Sequence, residues 1–311
     1  MKNEIQTANN KGAVKSIKKS AIKNGGVIFS LIMLMPVIFH FLVFYCGVNL
    51  GSILLAFTKH TPKGEVFTFD NFTYFFEEMQ KPNSAVYMAL FNTLEYYFWS
   101  VVKYVLVIAV AFFFYKKVYL HQVYKVIFFL PMMVPGMVYI SVFQNFIQAG
   151  GPLDMILRNC FGTELPSLLK SYETAKPTIL FYTYWSGFGA TLLILVGCMN
   201  RIPEEIIDAA KLDGCVGMRE FWKITIPLVF ETIATYFLLG VTTIFQTTGP
   251  FLFFVGETMP EVYTLQYWIF TQALGGTTNY PAAIGLIFTI VALPLVIICR
   301  WALNKVETVT Y

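Results

Sequence analysis

The segment from Glu204 to Pro227, EEIIDAAKLDGCVGMREFWKITIP, contains the residue types that make a specific contact with another protein. Charged side chains alternate with alanine and glycine, and the adjacent Phe221 and Trp222 are large apolar groups of the kind that dominate binding energy at interfaces. Apolar stretches long enough to cross a membrane lie on both sides. The pattern favours a compact recognition module, although an amphipathic connector lying on the membrane would have a similar composition.

The two halves of this segment predict two short helices. The first runs from Glu204 to Leu212, because its glutamates complement the positive end of a helix. The Asp-Gly pair at 213–214 ends it, since glycine adopts the left-handed backbone that a tight turn needs. The second helix, at about 217–224, presents Phe221 and Trp222. Two short helices joined by a glycine form a rigid knob suited to a cleft on another protein.

The whole chain has the composition of an integral membrane protein. Of its 311 residues 57% are apolar and only 13% are charged, with a mean hydropathy of +0.62, whereas soluble domains carry about 25% charged residues. A membrane span needs about 20 mainly apolar residues, and six stretches qualify. They are 27–48, 90–115, 123–147, 177–199, 226–248 and 281–303. The predicted fold is therefore all-α, with six transmembrane helices and a two-helix loop at 200–225.

Basic residues predict the orientation of the chain in a cell membrane. With the N-terminus inside, fifteen of the 22 Lys and Arg residues fall on the cytoplasmic side, six fall in outer loops, and Lys103 lies within the second span. Because cytoplasmic loops are enriched in basic residues, both termini and the 200–225 loop are predicted to be cytoplasmic. The predicted divisions are a basic tail at 1–26, a six-span domain at 27–303 and a C-terminal tail at 304–311.

The sequence predicts no catalytic or metal centre and no cofactor of its own. The three histidines and five cysteines are scattered, and the spans contain no paired carboxylates or nucleophile–base set. The phosphate-binding pattern G-x-x-x-x-G-K-S/T is absent, so ATP hydrolysis is not expected in this chain. The energy for any transport must come from a partner or from an ion gradient.

Lys103 is the clearest charge inside a predicted span. Such residues usually pair with another group or mark a transport pathway. We expect it to pair within the helix bundle or to contact a partner subunit rather than to bind cargo. A self-sufficient ion-coupled carrier or channel is the alternative function, and uptake by the isolated chain in an ATP-free vesicle would support it.

The segment IIDAAKLDGCVGMREFWKITIP resembles the EAA loop of the permease subunits of binding-protein-dependent ABC importers, in its carbohydrate-uptake form. That pattern reads approximately E-A-A-x-x-D-G-A, a spacer, and F-W-x-I-x-x-P. The residues in register are Ala209, Ala210, Asp213, Gly214, Phe221, Trp222, Ile224 and Pro227. Asp208 replaces the leading glutamate and keeps its charge, while Cys215 replaces an alanine and keeps small size.

Weaker similarities to the same family follow in the expected order along the chain. An outer-loop pattern is echoed at 69–72 (FDNF), and Asn-Thr-Leu occurs at 92–94 in the second span. The sequence TTGP at 247–250 resembles the family's Thr-Gly-Gly-Pro with one glycine missing, and PAAIG at 281–285 resembles the entry to the last span. These features are more similar to the maltose-F-like half of the permease pair than to its partner half.

The resemblance implies that the loop is a coupling helix held in a groove of a separate ATPase subunit. The implied partners are a second homologous permease, two ATP-binding subunits and an extracytoplasmic sugar-binding protein that docks on the outer segments 51–89 and 249–280. Apolar anchors in the groove and ion pairs at its rim would transmit the movement. The implied coupling residues are Asp208, Ala209, Ala210, Asp213, Gly214, Arg219, Phe221 and Trp222.

A sugar cargo requires hydrogen-bonding groups for its hydroxyls and flat aromatic faces for its C–H surfaces. The third, fourth and fifth spans contain both kinds of side chain, although the same residues also pack helices together. An uncharged cargo would fit the scarcity of charges within the spans. The candidate pathway residues are Tyr139, Gln144, Asn145, Tyr184, Trp185, Thr243, Gln246 and Thr247.

Overall fold

A computed structural model describes residues 26–62, 64–247, 249–254 and 259–306. The predicted N-terminal tail therefore lies outside the described residues except for Gly26, as do Thr248 and the last five residues of the C-terminal tail. The described chain is helical apart from one antiparallel hairpin, in which β1 (Thr58–Thr61) pairs with β2 (Gly64–Phe67). Five helices are long and apolar enough to cross a membrane, and a bent pair makes a sixth candidate. The predicted helical membrane fold is confirmed.

The spanning helices follow the six apolar stretches of the sequence. Each lies over an apolar run of the sequence. Such a run is helical because a helix satisfies its own backbone hydrogen-bonding groups in lipid. In chain order they are α1 (Gly26–Ala56), α3 (Ala85–Tyr115), α4 with α5 (His121–Met133 and Gly136–Ile147), α7 with α8 (Tyr172–Ser186 and Phe188–Met199), α10 (Met218–Thr242) and α13 (Asn279–Asn304). The shorter helices are α2 (Asp70–Met79), α6 (Pro152–Phe161), α9 (Glu204–Leu212), α11 (Phe251–Phe254) and α12 (Leu265–Leu274).

The third span differs from its prediction as one continuous helix. The segments His121–Met133 and Gly136–Phe161 are bent by 111° relative to each other. Pro135 lies at the break and Val134 before it has an extended backbone with ψ 136°. Proline lacks the N–H that would continue the helix, and it disfavours helical backbone in the preceding residue. One proline therefore divides this span.

Two apolar clusters hold the bundle together, one towards each end. The hairpin end is the end that carries β1 and β2, and its cluster includes Phe75, Ile179 and Trp268. The loop end is the end that carries α9, and its cluster includes Phe112, Leu195 and Phe221. Span α1 lies apart from both clusters for most of its length, and it packs on α13 through its last turns, Val48–Ala56.

Candidate functional site

The Glu204–Pro227 loop begins with α9 and turns at two glycines. Gly214 has φ +72° and Gly217 has φ +61°, a region that side chains with a Cβ rarely occupy. The backbone N–H of Cys215 donates to the Ala210 carbonyl at 2.8 Å, which satisfies one of the free carbonyls at the end of α9. The turn predicted at Gly214 is therefore present in the structure.

The second half of the loop does not form the separate short helix that we predicted. Helix α10 begins at Met218 and continues into the fifth span, with a π-helical turn at Phe221–Thr225. Pro227 lies in the first turn of regular α-helix after this turn, where its missing N–H is tolerated. The loop is thus one short helix attached by a glycine turn to the end of a long one.

One set of loop side chains faces outward, although it is apolar. Leu212 is 90% exposed and Trp222 is 63% exposed, and Val216 and Met218 are more than half exposed. Ala209, which precedes them on α9, is also exposed. We call Ala209, Leu212, Val216, Met218 and Trp222 the exposed apolar set. Apolar side chains this accessible at a loop are available to a partner.

Two of the predicted anchors face the bundle instead. Phe221 is 5% exposed and its ring centroid lies 4.9 Å from that of Phe112 in α3. Ala210 is 6% exposed. In this chain the two side chains hold the loop against the bundle, because the apolar face of α9 and the start of α10 cover the loop-end cluster.

A buried ion pair that the sequence did not reveal fixes the start of α10. Glu220 is 1% exposed, and its Oε1 lies 2.5 Å from the Nζ of Lys116, which follows α3. The ammonium of Lys116 also lies 5.8 Å from the ring centroid of Phe112. Glu220 and Lys116 are 104 positions apart, so no local pattern indicates their pairing.

The polar residues predicted for coupling lie on the surface of the loop. Asp208, Asp213 and Arg219 are exposed. Asp208 accepts a hydrogen bond from Lys211 Nζ at 2.8 Å, and this bond together with the carboxylate charge raises the pKa of Lys211. These charges are interspersed with the exposed apolar set along the sequence, and polar residues around an apolar centre are typical of a protein interface.

The eight candidate pathway residues do not meet at one place. Gln144 and Asn145 line a cavity of about 550 Å³ at the hairpin end, with Gln148 and Lys170. Gln246 lines a second cavity of about 620 Å³ between α1, α10, α12 and α13. Gln144 Nε2 donates to the Phe253 carbonyl at 2.5 Å. The polar side chains thus form separate groups along the bundle.

Most of the other candidates make helix-packing contacts. The Tyr184 hydroxyl donates to the Tyr96 carbonyl at 2.6 Å, and the ring of Tyr139 lies 5.4 Å from that of Tyr182. Trp185 stacks on Phe181. The hydroxyl of Thr243 donates to backbone carbonyls of its own helix at 3.1 and 3.2 Å, and the carbonyl of Thr247 accepts from Thr264 at 2.6 Å.

A bundle of membrane-crossing helices with an exposed loop that turns at two glycines defines a multi-pass membrane protein. The chain belongs to the family described as "binding-protein-dependent transport system inner membrane component", whose sequence pattern matches residues 103–308. The matched region includes the whole loop and four of the six spans. The resemblance seen in the sequence is confirmed, and the chain is a component of a binding-protein-dependent transport system.

Individual relatives agree with the family. The chain is 29% identical over 169 residues to the maltose/maltodextrin transport system permease protein MalF of Klebsiella aerogenes, and 28% identical over 168 residues to that of Escherichia coli K12. These matches cover 53% and 52% of this chain but 32% of each relative, so the chain spans about a third of the length of the curated relatives it matches.

The fold also occurs in solved transporters. A chain of a bacterial ABC transporter involved in the import of the acidic polysaccharide alginate matches with a TM-score of 0.79 and 21% identity, over 93% of this chain and 99% of that one. A chain of the alginate transporter in complex with its pentasaccharide-bound periplasmic protein matches with a TM-score of 0.79 and 20% identity. At this identity the likeness concerns the fold.

Proposed function

We propose that this chain is one permease half of an ATP-driven importer that moves a sugar or oligosaccharide across the cell membrane. A second homologous permease would complete the pathway, two ATP-binding subunits would supply energy, and an extracytoplasmic binding protein would deliver the cargo. ATP and Mg²⁺ would bind to the ATPase subunits. The observation that carries the proposal is the exposed apolar set on a loop whose other side is anchored in the bundle.

The loop has the mechanical properties that coupling to an ATPase requires. Leu212 and Trp222 offer an apolar contact that a groove would bury, and Asp208, Asp213 and Arg219 offer charges for its rim. The Phe221–Phe112 contact and the Glu220–Lys116 ion pair join the loop to α3, while α10 continues from the loop into the fifth span. A pull on the loop would therefore move two spans together.

The orientation proposed from the basic residues places the loop end in the cytoplasm and the hairpin end outside. The hairpin end carries the β1–β2 hairpin, α2 and the described parts of 249–280, which we propose as the docking surface for the binding protein. Asn92 in α3 donates to the carbonyls of Glu261 and Tyr263 at 2.6 and 3.0 Å, so this surface is tied to the second span. A binding protein docked on this surface would therefore contact segments that are hydrogen-bonded to the second span.

The carbohydrate cargo is supported by the relatives. MalF proteins are maltose/maltodextrin permeases, and the similar solved chains come from an alginate importer. The polar cavity beside Gln144 and Asn145 lies at the hairpin end, where a delivered sugar would enter. Amide side chains in such a cavity suit the hydroxyls of a saccharide.

The test replaces Gly214 in the complete importer. The importer is reconstituted in proteoliposomes with its binding protein, and uptake is measured for a panel of maltodextrins and oligouronates. Gly214 has open space around it, so a substitution there acts through its φ of +72°. Gly214→Val imposes a side chain that avoids this backbone region, at a cost of about 1–2 kcal/mol. We expect ATP hydrolysis to persist while cargo uptake falls at least tenfold.

Gly214→Asn is the matched control, because asparagine tolerates left-handed backbone. It should retain uptake within about threefold of the unchanged importer. Normal uptake by the Gly214→Val importer would contradict the coupling role of the loop. Uptake by this chain alone in vesicles without ATP would contradict the importer itself.

A further inference from the structure

Lys103 lies deep within the membrane-crossing part of the second span. It is 12 residues before Tyr115, the last residue of α3, which corresponds to about 18 Å along the helix. Gly187 is likewise 12 residues before Met199, the last residue of α8, at about the same depth in the fourth span. Both residues are therefore well inside a hydrocarbon core about 30 Å thick.

The ammonium group of Lys103 lies beside Gly187, where the helix of the fourth span is interrupted by a single residue. A Cβ added to Gly187 would lie 3.5 Å from Lys103 Nζ, so the missing side chain of this glycine leaves the space beside the ammonium. Gly187 is the residue between α7 and α8. The ring of Tyr184 lies on the same side, with its centroid 5.7 Å from Nζ.

Within the described ranges of the chain, no carboxylate lies within ion-pair distance of Lys103 Nζ. The other partly buried lysine of the spans shows the usual arrangement. Lys176 pairs with Glu95 and donates to Asn92 Oδ1 at 2.9 Å. Lys103 has the aromatic ring of Tyr184 beside it, which carries partial charges only.

We propose that Lys103 binds a carboxylate of the cargo, and that the cargo is an acidic saccharide such as an oligouronate. This proposal rests on the proposed import function and specifies its substrate class. An intramembrane lysine without a carboxylate partner is typical of a transport pathway, and a glycine allows a ligand to approach the backbone. A single ammonium matches the single negative charge of a uronate, whereas a phosphate monoester carries a charge of about −1.5 to −2 at neutral pH.

Tyr184 adds the second element of a saccharide site. Its hydroxyl is held by the Tyr96 carbonyl at 2.6 Å, so the ring is fixed beside Lys103. A sugar that placed its carboxylate on the ammonium would bring its C–H face towards this ring. Charges are scarce in the spans, which by itself suggests a neutral cargo. Against that background, one unpaired lysine would favour a saccharide with a carboxylate over a neutral saccharide.

The experiment measures uptake by the complete importer in proteoliposomes, with a tetra-uronate and with its neutral methyl ester as probes. We expect the unchanged importer to take up the tetra-uronate. Lys103→Met should raise the half-saturating tetra-uronate concentration at least tenfold and leave that of any transported neutral probe within about twofold. Lys103→Arg should retain tetra-uronate uptake within about threefold, because it keeps the charge.

Lys125→Met is the matched control, since Lys125 is an exposed lysine at the start of α4. Lys103→Gln replaces the Met variant if the latter fails to reach the membrane. Uptake restricted to neutral saccharides, or equal losses for both probes, would overturn the proposal and leave the importer function intact. Loss of the second permease from purified Lys103→Met importer would also overturn it, because the lysine would then pair with a partner subunit. If no saccharide stimulates ATP hydrolysis by the unchanged importer, the proposed function itself fails.

Discussion

The two sides of the Glu204–Pro227 loop have opposite environments although they are adjacent in sequence. Leu212 and Trp222 are largely exposed, while Glu220 and Phe221 are almost completely buried. The neighbours Phe221 and Trp222 point to different surroundings, with one ring against Phe112 and the other in solvent. One side attaches the loop to its own chain, and the other is free for a partner. Mutations on the two sides should therefore separate folding from coupling.

The largest effect is expected on the buried side, from Lys116→Ala. This change leaves the 1% exposed carboxylate of Glu220 without its ammonium. Removing one member of a buried ion pair typically costs 3–5 kcal/mol; because Lys116 is 30% exposed, we expect about 3 kcal/mol. The free energy of unfolding, measured by titration with sodium dodecyl sulfate in mixed micelles, checks this value.

Glu220→Gln provides the control for that prediction. Lys116 reaches solvent by itself, so the cost of losing the carboxylate should be about 1–2 kcal/mol. The double variant should be less destabilised than the sum of the single ones, because the two residues act on one interaction. Equal effects of the two single changes, added without coupling, would contradict a buried pair.

On the exposed side, Leu212→Ser should weaken binding of the ATPase subunit and leave the stability of the permease almost unchanged. The side chain is 90% exposed, so the free energy of unfolding should change by no more than about 0.5 kcal/mol. Loss of an apolar anchor at the centre of an interface should weaken binding of the ATPase subunit about 10- to 100-fold. Binding of purified ATPase to the detergent-solubilised permease measures this.

Val306→Ser is a suitable comparison for Leu212→Ser. Val306 is also an exposed apolar residue near the loop end, and it lies outside the loop. It should leave ATPase binding unchanged. If the two variants weaken binding equally, the exposed apolar set is not the specific contact.

The same contrast explains what the sequence could predict. The apolar runs indicate the helical spans, because lipid demands about 20 apolar residues per helix, and Gly214 indicates the turn through its backbone freedom. The contact between Glu220 and Lys116 connects residues from different spans and has no local signal. For the same reason, sequence alone assigned Phe221 to the partner together with Trp222.

The candidate pathway shows a second limit of sequence reasoning. Tyr184 has the residue type of a sugar contact, but its hydroxyl is already bonded to the Tyr96 carbonyl across 88 positions of sequence, so only its ring face is available. Pro135 was within a predicted continuous span, although its missing N–H made a break possible. Residue type indicates what a side chain is able to do. The packing of distant segments decides which of those roles remains open.

The smallest effect is expected from Asp208→Asn, on the rim of the exposed side. Asp208 already bonds Lys211 within α9 at 2.8 Å, and this raises the pKa of Lys211. The charged pair is therefore fully formed below the ordinary lysine pKa, and it is lost only as the pH rises through the raised pKa. Binding should consequently not vary across neutral pH. Removing an exposed charge mainly slows association, and salt screens it. We expect stopped-flow measurements to show association with the ATPase slowed about two- to fivefold at low salt and unchanged near 0.5 M, whereas a loss that persists at high salt would place Asp208 in the buried part of the contact.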